Sequence, residues 1–240
     1  MQAPRRELHL FFAAENDRAV ILYRANSSLY RLISWRTMGD HFEPGQWLKA
    51  GVYETSCGLS QDGEFFVYGA KLRGSSFHYT ALSRVPYFTA LEFHGDLTIA
   101  SVGGYFLDKG TVTFKHAINE EGHSRLSCGL SVNSARKNWW YSMPPKVAGI
   151  SYEDGVSQRA SVQVKRGKIP ALLECYHCDG AKLYRKTAKG LELLLDCSDM
   201  EFEPIQAPYE GVTKARPRIL ADPSTAGKVK LGMSKLGERS

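Results

Sequence analysis

Between Glu7 and Leu195 the chain is a succession of short apolar or alternating runs broken by polar turns. Residues 7–13, 19–23 and 29–35 come first, and residues 64–70, 77–83, 87–93, 111–116, 160–165, 171–176 and 191–195 continue the texture. Runs of this length, bounded by Asn, Asp, Ser and Gly, read as strands, and no long stretch has helical periodicity. Many strands at close spacing predict an all-β sandwich, barrel or propeller. With 43% hydrophobic and 23% charged residues the chain can bury a sizeable core.

Two matched pairs of triplets stand near the ends of this array. Leu29-Tyr30-Arg31 is followed by Phe42-Glu43-Pro44, and Leu183-Tyr184-Arg185 by Phe202-Glu203-Pro204. The shared order predicts one structural unit used at least twice, in neighbouring or ring-closing sheets. A second motif is local. In Leu59-Ser60-Gln61-Asp62-Gly63, ahead of an apolar strand, Gly63 can take the positive φ of a tight turn while the Asp62 side chain accepts from backbone amides. Asp179-Gly180 and Glu153-Asp154-Gly155 are looser examples.

The Ser-x-Asp-Gly turn resembles the turn-and-strand motif of β-propeller repeats of the TolB and WD-repeat kind. With Phe-Glu-Pro-Gly-Gln-Trp at 42–47 and the closing segment at 199–204, the chain resembles an uncharacterised group of bacterial β-propeller-like proteins over roughly residues 8–209. The resemblance implies a small propeller, or a propeller-like stack of antiparallel sheets, and carries no activity. Blades of about 40 to 45 residues leave room for four or five. Residues 118–152, polar and irregular, fit this pattern worst and read as an insertion loop.

Charge divides the chain into an all-β body, residues 1–210, and a basic tail, residues 211–240. The tail holds seven Lys and Arg against two Asp and Glu, so the body is left with 24 against 23 and is nearly neutral. Few large apolar residues follow Tyr209, and the tail is expected to stay flexible and disordered. No apolar run has secretory or membrane-spanning length, which predicts a cytoplasmic protein with no membrane partner. Five cysteines at irregular spacing do not form a disulfide framework.

Catalytic and metal motifs are missing from the sequence. Cys175-Tyr176-His177-Cys178 lacks the second ligand pair a structural zinc needs, and, read as part of a strand, its cysteines point to opposite faces. Ala226-Gly227-Lys228 has Asp222 and Val229 where a phosphate loop needs Gly and Ser or Thr. No Gly-x-Ser-x-Gly elbow occurs, and Asp196 and Asp199 read as turn residues. No catalytic residue, metal or other cofactor is expected.

Binding residues are the remaining candidates. Arg136, Lys137, Trp139, Trp140 and Tyr141 interleave cations with aromatics, a combination suited to protein interfaces or to stacking on bases. Lys214, Arg216, Arg218, Lys228 and Lys230 in the tail can attract an anionic partner by charge alone. The sequence therefore predicts a non-enzymatic bacterial interaction module with a protein partner, of which an immunity or accessory protein binding a toxin or effector is a special case. A propeller-type hydrolase or lyase acting on a sugar or lactone is the alternative, and nucleic-acid binding through the basic tail is a third.

Overall fold

The computed structural model describes residues 5–116, 125–133 and 160–212. Their architecture is all-β, in four sheets that follow one another along the chain. Sheet I is an antiparallel meander of β1 (Glu7–Phe12), β2 (Arg18–Asn26), β3 (Leu29–Arg36) and β4 (His41–Leu48). Sheet II contains β5 (Ala50–Val52), β6 (Gly58–Leu59), β7 (Phe65–Leu72), β8 (His78–Arg84) and β9 (Ala90–Leu97). In it, β5 and β6 share the same neighbour, β7. Sheet III pairs β10 (Gly104–Asp108) with β11 (Thr111–Phe114), and β12 (Ser131–Asn133) adds to β11 in parallel. Sheet IV is the meander β13 (Tyr176–Asp179), β14 (Lys182–Thr187) and β15 (Gly190–Asp196). Among the described residues no sheet closes on itself.

Alternation along the strands decides what packs on what. On β1 to β3, Leu8, Leu10, Phe12, Ile21, Tyr23, Ile33 and Trp35 face one side and meet Ala181, Leu183 and Cys197 of the sheet IV region. Phe11, Val20, Leu22, Tyr30 and Leu32 face the other and meet Phe66, Tyr68, Tyr79 and Ala81 of sheet II. The far face of sheet II offers Phe65, Val67 and Leu82 to Phe106, Val112 and Phe114 of sheet III. The packing order is thus IV, I, II, III, with the last sheet of the chain seated on the first. The initial strands sit together, with β6 continuing β5 along the same edge of β7 as the opening strand of sheet II: β13 against β1, β1 against β6, and β6 against β10.

Local chemistry accounts for the turn before β7. Asp62 accepts from the Ser60 hydroxyl at 2.6 Å and the Glu64 amide at 3.1 Å, the Ser60 hydroxyl accepts from the Phe65 amide at 2.9 Å, and Gly63 sits at φ 74°. The Asp62 bond to the Glu64 amide and the positive φ of Gly63 are what the motif predicts, and the two Ser60 bonds add to them. Gly180, at φ 56°, lies in the turn from β13 to β14.

Three expectations fail. Residues 160–165 form a helix, α1, not a strand, and so does Pro170–Glu174, α2, within the run 171–176. The Val162 and Val164 alternation imitates a strand, but a Schellman cap closes the helix. Lys168 N donates to Gln163 O and Gly167 N to Val164 O, both at 2.9 Å, with Gly167 at φ 79°. Pro170 then opens α2 from an extended Ile169, as its fixed φ favours. Cys175 is therefore the C-cap of α2, and only Cys178 lies on a strand. Third, the triplet pairs are not equivalent. Leu29-Tyr30-Arg31 opens the third strand of sheet I and Leu183-Tyr184-Arg185 lies on the second strand of sheet IV, while Phe42-Glu43-Pro44 is in β4 and Phe202-Glu203-Pro204 is in no strand.

Candidate functional site

Where the initial strands meet, the chain between β5 and β6 leaves the sheet as a 3₁₀ turn, Glu54–Ser56. Polar and charged side chains from all around converge on this turn. Gly103, just before β10, permits the close approach. At φ 89° it holds a conformation rare for other residues, and a Cβ there would lie 2.0 Å from the Ser56 carbonyl oxygen.

On the sheet I side the register aligns Glu7 of β1, Arg24 of β2 and Tyr30 of β3 in one row. Glu54 reaches into that row. Its Oε1 accepts from the Tyr30 hydroxyl at 2.8 Å and from Arg24 Nη1 at 3.5 Å, and lies 3.7 Å from His9 Nε2. The same guanidinium donates to Glu7 Oε2 at 3.3 Å. Burial holds His9 below the ordinary imidazole value against the pull of Glu54, so it is neutral near pH 7. Burial, then the bond to Glu54, raises Tyr30 well above the usual phenol range. The group offers a neutral imidazole, two carboxylates, a protonated phenol and a guanidinium at the edge of the interior, a set able to hold a polar ligand or move a proton.

On the sheet III side the turn meets cations. Arg166, immediately after α1, donates from Nη1 to the Thr55 carbonyl, and Lys115, after β11, donates from Nζ to the Ser56 hydroxyl at 2.9 Å. Lys168 donates to the Leu10 carbonyl at 2.6 Å and lies 3.7 Å from the centre of the Phe11 ring. Backbone bonds fix the segment that carries two of them. Phe12 N donates to Gly167 O at 2.9 Å and Leu59 N to Arg166 O at 3.5 Å, so residues 166–168 fill the space beside β1 and β6. Burial lowers Lys115 and Lys168 to about 8 and depresses Arg166 as well. Cys57, next to the turn, is pushed up to about 12 by burial and stays a thiol.

Every binding residue expected from the sequence lies outside the described residues: Arg136, Lys137, Trp139, Trp140 and Tyr141, and Lys214, Arg216, Arg218, Lys228 and Lys230 of the tail. The Glu153-Asp154-Gly155 turn does too. Gly211 and Val212, at the start of the basic segment, are packed on sheet II, with Val212 N donating to Ala90 O at 2.8 Å. Among the described residues no group of three or more His, Cys, Asp or Glu is placed to hold a metal ion, and no helix is long and apolar enough to cross a membrane.

Sequence reasoning missed His9, Arg24, Glu54, Lys115, Arg166 and Lys168. No spacing could have found them, because the group is assembled from β1, β2, β3, the 3₁₀ turn, the end of β11 and the link between α1 and α2. In comparisons with known proteins, no family model, curated protein or solved structure matches this chain.

Proposed function

We propose that this chain is a non-enzymatic protein-interaction module of the bacterial cytosol, built as a small propeller with the four sheets as blades. Support for blades comes from the order of the sheets, the contacts among their initial strands, and the seating of sheet IV on sheet I. Residues 166–168 fill the region beside those strands, which favours a rigid scaffold over a deep catalytic pocket.

The free edge of sheet IV carries the functional reading. Proteins blunt exposed strand edges with Pro, bulges or inserted charge. Strand β4 contains Pro44 and Gly45, and β9 has two register shifts and Asp96 at φ 59°. Strand β15 reads Gly-Leu-Glu-Leu-Leu-Leu-Asp, with no proline, and its one register shift falls at Leu194, leaving residues 190–193 in regular pairing with β14. Leu191 and Leu193 are 56% and 52% exposed, and among the described residues no strand pairs with its other edge. Leu193 stands in register with Tyr184, and Tyr184 with His177, extending the surface across the sheet. The partner this edge fits is another protein that adds an extended apolar segment beside β15, its alternate side chains covering Leu191 and Leu193.

Affinity capture with the wild-type chain and with a Leu191→Lys, Leu193→Lys double variant tests this. The variant should keep its thermal midpoint and lose a partner that the wild type retains. Retention of that partner by the variant sinks the reading. So does sedimentation showing that the edge only pairs two copies of this chain.

One observation favours the alternative, a hydrolase or lyase acting on a sugar or lactone: His9, neutral, stands between Glu54 and Glu7 beside Tyr30. Turnover of a lactone or glycoside panel that His9→Asn abolishes would establish it, and no turnover by the wild type would remove it.

A further inference from the structure

Among the described residues, the interior beside the 3₁₀ turn holds more positive charge than the neighbouring side chains balance. Arg166 and Lys115 arrive from separate segments and bind consecutive residues, Thr55 and Ser56, which sets the two cations side by side. Arg166 is 7% exposed, and its Nε is buried with no protein acceptor among the described residues. Among those residues no carboxylate lies within 4 Å of Arg166, Lys115 or Lys168. The carboxylate on the same turn, Glu54, is committed to Tyr30 and Arg24 on the opposite side. Cys57 brings no negative charge, because burial keeps it a thiol. Buried cations are normally paired, since a desolvated charge without a counter-charge is strongly unfavourable.

We propose that Arg166, Lys115 and the Ser56 hydroxyl form a binding site for a compact oxyanion, the phosphate or carboxylate group of a small ligand. The guanidinium supplies a planar donor edge through the unpartnered Nε, and the ammonium supplies a point charge with further protons to donate. Ser56 already accepts from Lys115, so its own proton is free to point at the anion. Lys168, held on the Leu10 carbonyl, adds field without contact. Aromatic carbon from Tyr105, whose ring centre lies 5.8 Å from the Arg166 guanidinium carbon, keeps the surroundings low in dielectric and strengthens the attraction. The site is independent of the sheet IV edge, so either can fail alone.

Titration calorimetry of the full chain with inorganic phosphate, at an ionic strength held constant with chloride, tests the proposal. One saturable site per chain is expected, with a thermal midpoint that rises as phosphate is added. A parallel titration with acetate distinguishes a carboxylate ligand from a phosphate one. Lys115→Met should weaken the preferred anion at least tenfold, while its midpoint in chloride stays the same or rises because a half-buried charge with no counter-charge among the described residues has gone. Arg166→Met should weaken binding at least as much, and if it does not fold, the Lys115→Met and wild-type titrations decide. Wild-type protein that binds neither phosphate nor acetate in preference to chloride overturns the site. Undiminished affinity in Lys115→Met overturns it equally.

Discussion

Arg31 of β3 and Glu203, 172 residues further along the chain, form an ion pair where sheet IV packs on sheet I. A second pair runs the other way: Arg185 of β14 donates to both oxygens of Asp40, just before β4, at 2.8 and 2.6 Å. The two Leu-Tyr-Arg motifs, alike as sequence, are thus the two arms of one clasp. Each arginine reaches an acid in or beside the other motif's Phe-Glu-Pro triplet. Phe202 completes the contact, its ring centre 6.4 Å from Trp47, over which the Arg31 guanidinium also lies at 5.1 Å.

Removing the buried end of the first pair should cost more than removing the exposed end. Arg31 has a side chain only 5% exposed, and besides Glu203 it donates to the Gly45 carbonyl at 3.0 Å. Arg31→Met is expected to lower unfolding free energy by about 3 kcal/mol, while Glu203→Gln, which keeps an acceptor oxygen for Arg31 but removes its counter-charge, should cost about 1 to 2 kcal/mol. Urea denaturation of the two variants checks the difference.

Gly103→Ala should be among the most damaging single-methyl additions in the chain. The backbone is left-handed there and the new carbon would overlap the Ser56 carbonyl, so the 3₁₀ turn must move. A loss of about 3 kcal/mol or more is expected. Thermal unfolding beside Gly74→Ala, also left-handed at φ 74° but with nothing within 4 Å of the added carbon, isolates the contact from the backbone strain.

Stability should fall on mild acidification because of His116. Burial, then the neighbouring His94, lowers His116 to about 4 from an ordinary 6.5, and the two rings lie 4.6 Å apart. Above pH 6.5 the residue is neutral in both states; between 6.5 and about 4 the unfolded chain takes the proton first, so stability drops as pH falls across that window. The shift corresponds to roughly 3 kcal/mol. His116→Phe, which can keep the ring contact with Phe114, should flatten the profile of denaturation midpoint against pH.

Thiol reactivity should separate the cysteines in the native state. Cys175 is exposed and should alkylate first with iodoacetamide, whereas Cys57 and Cys197 are buried with values near 12 and should stay unmodified until the chain unfolds. Peptide mapping after a short pulse reads this directly. Early labelling of Cys57 would contradict the packing of the 3₁₀ turn.

Nested truncations should place the end of the folded body. Gln46 Nε2 donates to Ile205 O at 2.9 Å, the Tyr209 hydroxyl donates to Thr89 O at 2.8 Å and accepts from Arg84 N at 3.1 Å, and Val212 N donates to Ala90 O. A chain ending at Val212 should keep the full-length thermal midpoint. One ending at Pro204 loses those bonds and should be less stable by about 2 to 4 kcal/mol.

The sequence by itself determined the features whose causes are local. Alternation marked most strands of sheets I and II, and Ser60, Asp62 and Gly63 specify their turn because every bond in it spans only a few residues. The chemistry of Gly167 and Pro170 was equally local, yet the Val162 and Val164 alternation outweighed it, and two helices read as strands. Tertiary structure alone decided the rest. It turned an apparent repeat into a reciprocal clasp, left Leu191 and Leu193 exposed on the outer edge strand β15, and gathered Glu54, His9, Arg24, Lys115 and Arg166 around one 3₁₀ turn. Those residues are brought together by the packing of separate sheets, and contacts between distant segments depend on burial and register that no window of sequence contains.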